Sequence, residues 1–207
     1  MKYIFDVGAN NGNSCLKFTE DLSVTVVGFE PTPEMYSAIE KKTANTPNYI
    51  LVKKAVSNFI GKATFNVAGQ SDWGCSSLLE FSDKSVTHWR NRTDFKVTHQ
   101  IEVDVITLEN FVTEMGIEEI EYLHCDTQGS DLNVLKGLGN KIGILKSGVI
   151  EAGAQKDILY KGQNTVEECV EFLEQNGFNV DKIEDNDQCS TSWAACEVNI
   201  YFSRKNA

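Results

Sequence analysis

Short apolar segments alternate with segments of helical periodicity along most of this chain, and that alternation constrains the fold more than any other feature. Strands of a parallel sheet covered on both faces are nearly continuous apolar runs, and each is joined to the next by a crossover, usually a helix. The alternation therefore predicts a doubly wound α/β fold. The expected strands are 3–7, 24–29, 49–56, 120–125, 147–151 and 198–202.

Four helices have recognisable N-termini. Thr165 and Glu168 form a capping box ahead of an apolar stripe with helical spacing, and Gly177 is expected to end that helix. The other three are expected to begin after Thr32, which Pro33 follows, after Thr107, and at Ser130 or Asp131.

The charge balance excludes two classes of function. The chain has 207 residues with 19 basic and 30 acidic side chains, a formal net charge of −11. This charge repels phosphate backbones and anionic lipid, so neither nucleic-acid nor membrane-surface binding is expected. No apolar run approaches the ~20 residues that cross a bilayer, and the start lacks a signal-peptide core. The length fits one domain over residues 1–207.

The cysteine pattern indicates free thiols. None of the six cysteines forms a C-x-x-C pair, so neither a zinc ribbon nor a thioredoxin-type site is indicated. Without an export signal, reduced thiols in the cytoplasm are expected, and a disulfide between Cys189 and Cys196 is the alternative.

Residues 69–99 follow neither a strand nor a helix period, and a loop of that length is usually functional or disordered. From residue 84 to residue 99, four basic side chains occur with one acidic side chain. We expect an ordered cap over a binding site at about 70–100, with a solvated loop as the alternative. Its aromatic and arginine side chains are Trp73, Phe81, Trp89, Phe95, Arg90 and Arg92.

The first candidate site is DVGANNG at 6–12, a strand that ends in a glycine turn before a helix. Gly8 and Gly12 let a ligand approach the backbone closely. The spacing lacks both the G-x-G-x-x-G fingerprint and a phosphate loop, so a ligand without a pyrophosphate is favoured over NAD or ATP. A purely structural turn is the alternative. Asp6 lies within the apolar strand and needs partners, either loop amides or the ligand.

Two further candidates follow other strands. Glu30, before Pro31, ends the second strand, where a carboxylate can accept both hydroxyls of a ribose; a solvated strand end is the alternative. Asp126 ends a central strand, and Gln128 and Asp131 flank the glycine turn that follows. Carboxyl ends of neighbouring parallel strands meet at one edge, so these side chains are expected around one ligand.

These segments resemble the FkbM family of S-adenosylmethionine-dependent methyltransferases. The resemblance implies a Rossmann-like class I methyltransferase fold, with a seven-stranded, mostly parallel sheet whose last strand is antiparallel. It also implies O-methylation of sugar or polyketide hydroxyls, and a fused or accompanying glycosyltransferase is one expected partner. The matching segments are DVGANNGNS (6–14), GFEPTPEMY (28–36), KKAVSNFIGKATFNV (53–67), DVITLENF (104–111), DTQGSDLNVLKG (126–137) and LYKGQ (159–163).

The resemblance also implies roles for particular positions. Many family members carry an acidic residue where this chain has Gln128, which cannot act as a base, and often a glutamate in place of Asp131. The cofactor-binding positions are Asp6, Gly8, Asn10 and Gly12 for the methionine part, Glu30 for the ribose, Ala55, Val56 and Ser57 near the adenine, and Pro31, Ser77, Asp126 and Gln128.

Methyl transfer to a hydroxyl needs a base. Asp126 is the first choice, and binding of the cofactor's amino group is its alternative role. His88 in the cap is a second candidate, whereas His124 is expected to be an interior histidine. Glu151 could hold the acceptor, or share a divalent ion with Asp126.

The cap suggests how an acceptor could be held. Trp73 or Trp89 could stack on a sugar face, and Arg90 and Arg92 could contact its polar groups. A catalytically silent cofactor-binding module and a nicotinamide-dependent oxidoreductase are the other readings of the sequence.

Overall fold

The computed structural model describes residues 2–68, 73–83, 96–185 and 197–205. Two sheets are present in these ranges, a large one of seven strands and a small one of three. In chain order the strands are β1 (Lys2–Val7), β2 (Val24–Phe29), β3 (Tyr49–Val52), β4 (Ala55–Val56), β5 (Gly61–Ala68), β6 (Val97–Ile106), β7 (Tyr122–Cys125), β8 (Ser147–Gly153), β9 (Phe178–Asp185) and β10 (Glu197–Arg204).

The large sheet has the order β3-β2-β1-β7-β8-β10-β9. Neighbouring strands from β3 to β8 are parallel, whereas β10 runs antiparallel to both β8 and β9. The order reverses at β1, so the carboxyl ends of β1, β2 and β7 flank the switch point where ligands bind in such sheets. The predicted doubly wound sheet, with an antiparallel last strand, is confirmed.

The predicted helix starts are also confirmed. The Thr107 side chain accepts a hydrogen bond from the backbone of Asn110, and the capping box of Thr165 and Glu168 is complete. The helices are α1 (Asn13–Leu16), α2 (Pro33–Thr43), α3 (Leu108–Met115), α4 (Asp131–Lys136) and α5 (Val166–Gln175), and 3₁₀ segments occur at Lys17–Glu20, Trp73–Cys75 and Gly139–Ile144.

Strand alternation sends β1 side chains to two different environments. Phe5 and Val7 enter the main core, where Phe5 makes edge contacts with Phe29 (ring centroids 5.5 Å apart) and with Phe111 (5.8 Å). Ile4 and Asp6 face the opposite side of the sheet. The aromatic cluster thus fixes the two strands whose ends form the candidate site.

The prediction of one strand at 49–56 was wrong. The segment divides into β3, in the large sheet, and β4, which pairs with β6 in the small one. Two lysines separate the strands; Lys53 pairs with Glu40 and contacts Tyr36, and Lys54 bonds locally to Val52. This break carries the chain from one sheet to the other.

The small sheet, with the order β4-β6-β5, and strand β9 were missed by the sequence prediction. A signal was present: Ile101, Val103 and Val105 alternate with polar residues along β6, as in a strand with one covered face. β6 begins at Val97, inside the segment that was expected to lack a period.

Several sequence predictions fall outside the described residues. They concern the parts of the cap at 69–72 and 84–95, which hold His88, Trp89, Arg90, Arg92 and Phe95, and the pair Cys189 and Cys196. Cys15, Cys125 and Cys169 are buried free thiols, as expected, and Cys75 is buried as well. Within the ranges that are described, no helix has the length and apolar character that crossing a membrane requires.

Candidate active site

A cleft opens at the carboxyl ends of β1, β2 and β7 and extends to the small sheet. It encloses about 600 Å³, counting the space at its open mouth. Residues 73–83, from the expected cap, contribute Gly74, Ser76 and Leu78 to its wall. The predicted site residues that line the cleft are Gly8, Asn10, Glu30, Pro31, Ala55, Val56, Asp126 and Gln128.

The other predicted residues lie around or behind the cleft. Gly12 leads into α1, and the backbone N–H of Ser57 donates to the carbonyl of Ile106. Ser77 donates from Oγ to the carbonyl of Gln128 at 2.7 Å and accepts from the N–H of Leu79 at 3.0 Å, so it holds the loop after β7. Their roles toward a cofactor stay predictions.

A close contact of two backbone segments fixes the glycine bend after β1. Gly8 has a φ of 79°, and a Cβ at this position would lie 1.9 Å from the carbonyl oxygen of Asp126. The N–H groups of Gly8 and Ala9 both donate to the carbonyl of Phe29. Glycine is therefore required here because the ends of β1 and β7 meet, and the cleft floor forms at that contact.

Glu30 is held rigidly at the cleft wall and is only 4% exposed. Its Oε2 accepts the backbone N–H of Asn10 at 2.8 Å, and its Oε1 accepts the N–H of Thr32 at 2.8 Å together with the Thr32 hydroxyl. Burial raises the pKa of Glu30 to about 7, although these hydrogen bonds lower it. Because a carboxylate oxygen can accept two hydrogen bonds, Oε2 can still accept a ligand hydroxyl.

Across the cleft, Gln128 connects two acidic side chains. Its Nε2 donates to Asp126 Oδ1 at 2.6 Å and to Glu151 Oε2 at 3.4 Å, and its Oε1 accepts the hydroxyl of Tyr160 at 2.7 Å. Burial raises the pKa of Asp126, whereas the bond to Gln128 and the charge of His124 lower it. A divalent ion shared by Asp126 and Glu151 would have to displace this amide.

Asp131 organises the loop from behind and is fully buried. Its Oδ2 accepts from the N–H (3.2 Å) and the hydroxyl (2.9 Å) of Thr127, and its Oδ1 accepts from the N–H of Glu151 at 3.2 Å. Burial and the charge of Asp126 raise its pKa to about 7. Asp131 thus ties the end of β8, which carries Glu151, to the loop that carries Gln128.

Asp6 does not contact the loop amides that were one of its expected partners. Its Oδ1 lies 2.9 Å from Nδ1 of His124, because the two residues are register neighbours on β1 and β7 and face the same side of the sheet. Burial lowers the pKa of His124, but the hydrogen bond and charge of Asp6 raise it overall. His124 was expected in the interior, but its side chain is 26% exposed and lines a second cavity that opens to solvent.

Sequence reasoning assigned no role to Thr32 toward Glu30, or to Phe65 and Tyr160. Phe65 lines the cleft from β5, a strand that was not predicted. Tyr160 is 1% exposed and stacks on Phe81, and its single hydroxyl proton lies between two acceptors, Gln128 Oε1 at 2.7 Å and the carbonyl oxygen of Cys75 at 2.9 Å. In the sequence, Tyr160 was included only in the segment LYKGQ at 159–163, which resembles the FkbM family, and no role was predicted for it.

Replacing Tyr160 with phenylalanine should disturb the Gln128 amide with little change in packing. The change leaves Oε1 of the partly buried Gln128 without this donor, which costs about 1 kcal/mol. We expect a lower free energy of unfolding by denaturant than for the wild type. An unchanged free energy of unfolding would show that the amide needs no such anchor.

The sheet order, the glycine bend and the acidic residue at the end of β2 define a class I S-adenosylmethionine-dependent methyltransferase. The family model described as "Methyltransferase FkbM domain" matches residues 6–180, and the chain belongs to this family. A curated relative, the 2-O-methyltransferase NoeI of Sinorhizobium fredii, is 23% identical over 175 residues, which are 82% of this chain and 70% of NoeI.

Solved structures show the same fold. Fibrillarin from Aeropyrum pernix, with natively bound S-adenosyl-L-methionine, matches 97% of this chain with a TM-score of 0.54 and 9% identity. The chain spans 65% of that fibrillarin's length. An rRNA methylase from Streptococcus thermophilus matches 100% of this chain and 89% of its own, with a TM-score of 0.50 and 12% identity.

S-adenosylmethionine is the cofactor, and the residues of the cleft fit it. It supplies a methyl group on a positively charged sulfur. Glu30 would hold the ribose hydroxyls with its fixed carboxylate oxygens, and the bend at Gly8 and Asn10 lies beside it. The apolar walls at Phe29, Val56 and Phe65 suit an adenine ring.

Proposed function

We propose that this protein transfers a methyl group from S-adenosylmethionine to a hydroxyl of a sugar or glycan. The observation that carries the proposal is the position of Asp126, a carboxylate in the wall of the cleft that Glu30 also lines. The name of NoeI, a 2-O-methyltransferase, supports transfer to oxygen. A sugar acceptor is consistent with several hydrogen-bonding side chains grouped beside Asp126.

Asp126 is the proposed general base. A neutral hydroxyl must lose its proton as it attacks the methyl group, and a positioned base contributes about 10²–10⁴-fold to the rate. Burial raises the pKa of Asp126 toward the range in which a carboxylate accepts a proton more readily. The side-chain amide of Gln128 donates a hydrogen bond to Asp126 Oδ1, so the carboxylate of Asp126 keeps one orientation.

Glu151 and Gln128 are proposed to position the acceptor. Glu151 is 6% exposed and lies next to the Gln128 amide, at the end of the strand adjacent to that of Asp126. A sugar presents neighbouring hydroxyls, so one hydroxyl can meet Asp126 while another meets this pair. We further propose that the segment at about 70–100 covers the acceptor, with residues 73–83 forming part of that cover.

The test is Asp126→Asn with Asp104→Asn, an exposed aspartate on β6, as the matched control. We expect kcat for methylation of a glycan panel, followed as mass gain, to fall about 10²–10⁴-fold. Cofactor affinity should change by only a few-fold, and the control should resemble the wild type. Equal loss of cofactor affinity and rate would instead place Asp126 at the cofactor's amino group.

The acceptor panel should include polyketide-like hydroxyl compounds beside the glycans. Methylation of a sugar hydroxyl is the expected result. Activity confined to non-sugar hydroxyls would contradict the proposed sugar acceptor but would still support O-methyl transfer as the reaction. A protein that binds the cofactor but methylates nothing in the panel would contradict the proposed activity.

A further inference from the structure

Three metal-binding side chains meet on the side of the sheet away from the aromatic core. Asp6 lies on β1, His124 on β7 and Cys15 on α1, and one donor atom from each lies within 4.8 Å of the others. The fold brings them together in a simple way: Asp6 and His124 are register neighbours, and α1 follows the glycine bend directly. Cys15 is 1% exposed and Asp6 is fully buried.

A second observation points to a missing ligand at this cluster. Asp6 Oδ1 is paired with His124, whereas Asp6 Oδ2 is buried and no N–H or O–H group of the described residues donates to it. Besides His124, the carboxylate has only the Cys15 thiol, a weak donor, as a hydrogen-bonding neighbour. Buried carboxylate oxygens are normally satisfied by donors or by a metal ion, because desolvation is otherwise uncompensated. Asp6 does not line the cleft that Glu30 and Asp126 share, and its expected role toward the methionine part of the cofactor stays a prediction.

A separate cavity gives access to the cluster. It encloses about 520 Å³, counting its open mouth, and is lined by Cys15 and His124 together with Tyr122, Asn199 and Tyr201. An ion bound by the three side chains can therefore enter from solvent, and its remaining coordination position can be filled from the cavity. A ligand set with one open position is a known arrangement for zinc.

We propose that Asp6, Cys15 and His124 form a zinc site. Thiolate, imidazole and carboxylate together suit Zn²⁺, whereas Mg²⁺ and Ca²⁺ prefer oxygen ligands alone. Bond lengths of about 2.0–2.3 Å in a tetrahedron place ligand atoms about 3.3–3.7 Å apart, which the cluster reaches with small side-chain movements. On binding, the ion replaces the thiol proton of Cys15, which passes to solvent.

The bound ion would join the three elements beneath the cofactor cleft. β1 leads into the glycine bend, α1 follows that bend, and β7 leads to Asp126. Zinc is therefore expected to raise the midpoint temperature of unfolding. The site does not depend on the identity of the acceptor, and metal binding is measured without methyl transfer.

Cobalt(II) titration of the chelator-treated full chain tests the site. We expect one equivalent of Co²⁺ to bind, with thiolate-to-cobalt charge-transfer absorption that Zn²⁺ abolishes. Cys15→Ala should remove this absorption, and His124→Gln should weaken binding at least about 100-fold. Cys169→Ala, which removes another fully buried thiol, is the matched control and should leave the spectrum unchanged.

Two results would overturn the proposal. One is the absence of charge-transfer absorption in the wild-type chain at an excess of cobalt. The other is a spectrum that survives Cys15→Ala or is lost in Cys169→Ala. If Cys15→Ala does not fold, His124→Gln and the wild-type titration still decide the question.

Discussion

Replacing Glu30 with glutamine is expected to weaken S-adenosylmethionine binding about 100-fold, because hydrogen bonds from ribose hydroxyls to a carboxylate each contribute about 1.5–3 kcal/mol. The substitution keeps the size of the side chain. Its amide nitrogen, however, cannot accept a hydrogen bond from a hydroxyl or from the N–H of Asn10. Calorimetric titration of the variant with the cofactor measures the loss.

The matched control is Glu34→Gln, in the exposed first turn of α2 four residues away. It makes the same chemical change and should bind the cofactor as the wild type does. Equal affinities for Glu30→Gln and the wild type would remove Glu30 from the cofactor site.

Because the pKa of Glu30 is raised, cofactor affinity and the stability of the cofactor-free protein should change with pH in opposite directions. Cofactor affinity should rise as the pH increases through about 7, where the carboxyl ionises in the cofactor-free protein. Stability of that cofactor-free protein should fall over the same range. Because the native pKa is raised from 4.5, Glu30 favours the folded state below pH 4.5, and this contribution of about 3 kcal/mol is lost by about pH 7. Glu30→Gln should reduce this slope in denaturant unfolding.

Gly8→Ala should destabilise the protein by about 3 kcal/mol and abolish cofactor binding, because overpacking and a positive φ are imposed together. The added Cβ would lie 1.9 Å from a backbone oxygen of Asp126, which cannot rotate away as a side chain could. The ends of β1 and β7 must therefore separate, and they form the cleft floor. Denaturant unfolding and cofactor titration measure the two effects.

Gly116→Ala is the control for Gly8→Ala, because it imposes a positive φ on alanine without a steric contact at the new Cβ. Gly116 has a φ of 65° at the C-terminus of α3, and a Cβ there would meet nothing within 4 Å. This control should cost only about 1 kcal/mol and leave cofactor affinity intact. Similar losses for the two alanine variants would mean that contact between β1 and β7 is not what requires Gly8.

Much of the fold was predictable because its signals are local. The strands of the large sheet near the site are apolar runs, and Thr107 and Thr165 mark helix starts through their own capping bonds. The small sheet was missed although β6 alternates. Short apolar runs such as 49–56 do not reveal which sheet they join, since pairing partners such as β4 and β6 are far apart in sequence.

The candidate site was predictable where one strand end supplies the residue, as for Glu30 and Asp126. The sequence could not reveal contacts between distant segments. The anchoring of Gln128 by Tyr160 joins residues 32 positions apart, and the pairing of Asp6 with His124 joins residues 118 apart. Both depend on sheet register and loop packing, which no local pattern encodes.

Calorimetric titration of the purified chain with S-adenosylhomocysteine shows whether this cleft binds the cofactor. We expect one bound equivalent per chain, with affinity that Glu30→Gln greatly reduces and Glu34→Gln preserves. Absence of binding by the folded wild-type chain, or binding that is indifferent to Glu30, would contradict the assignment of this cleft as the cofactor site.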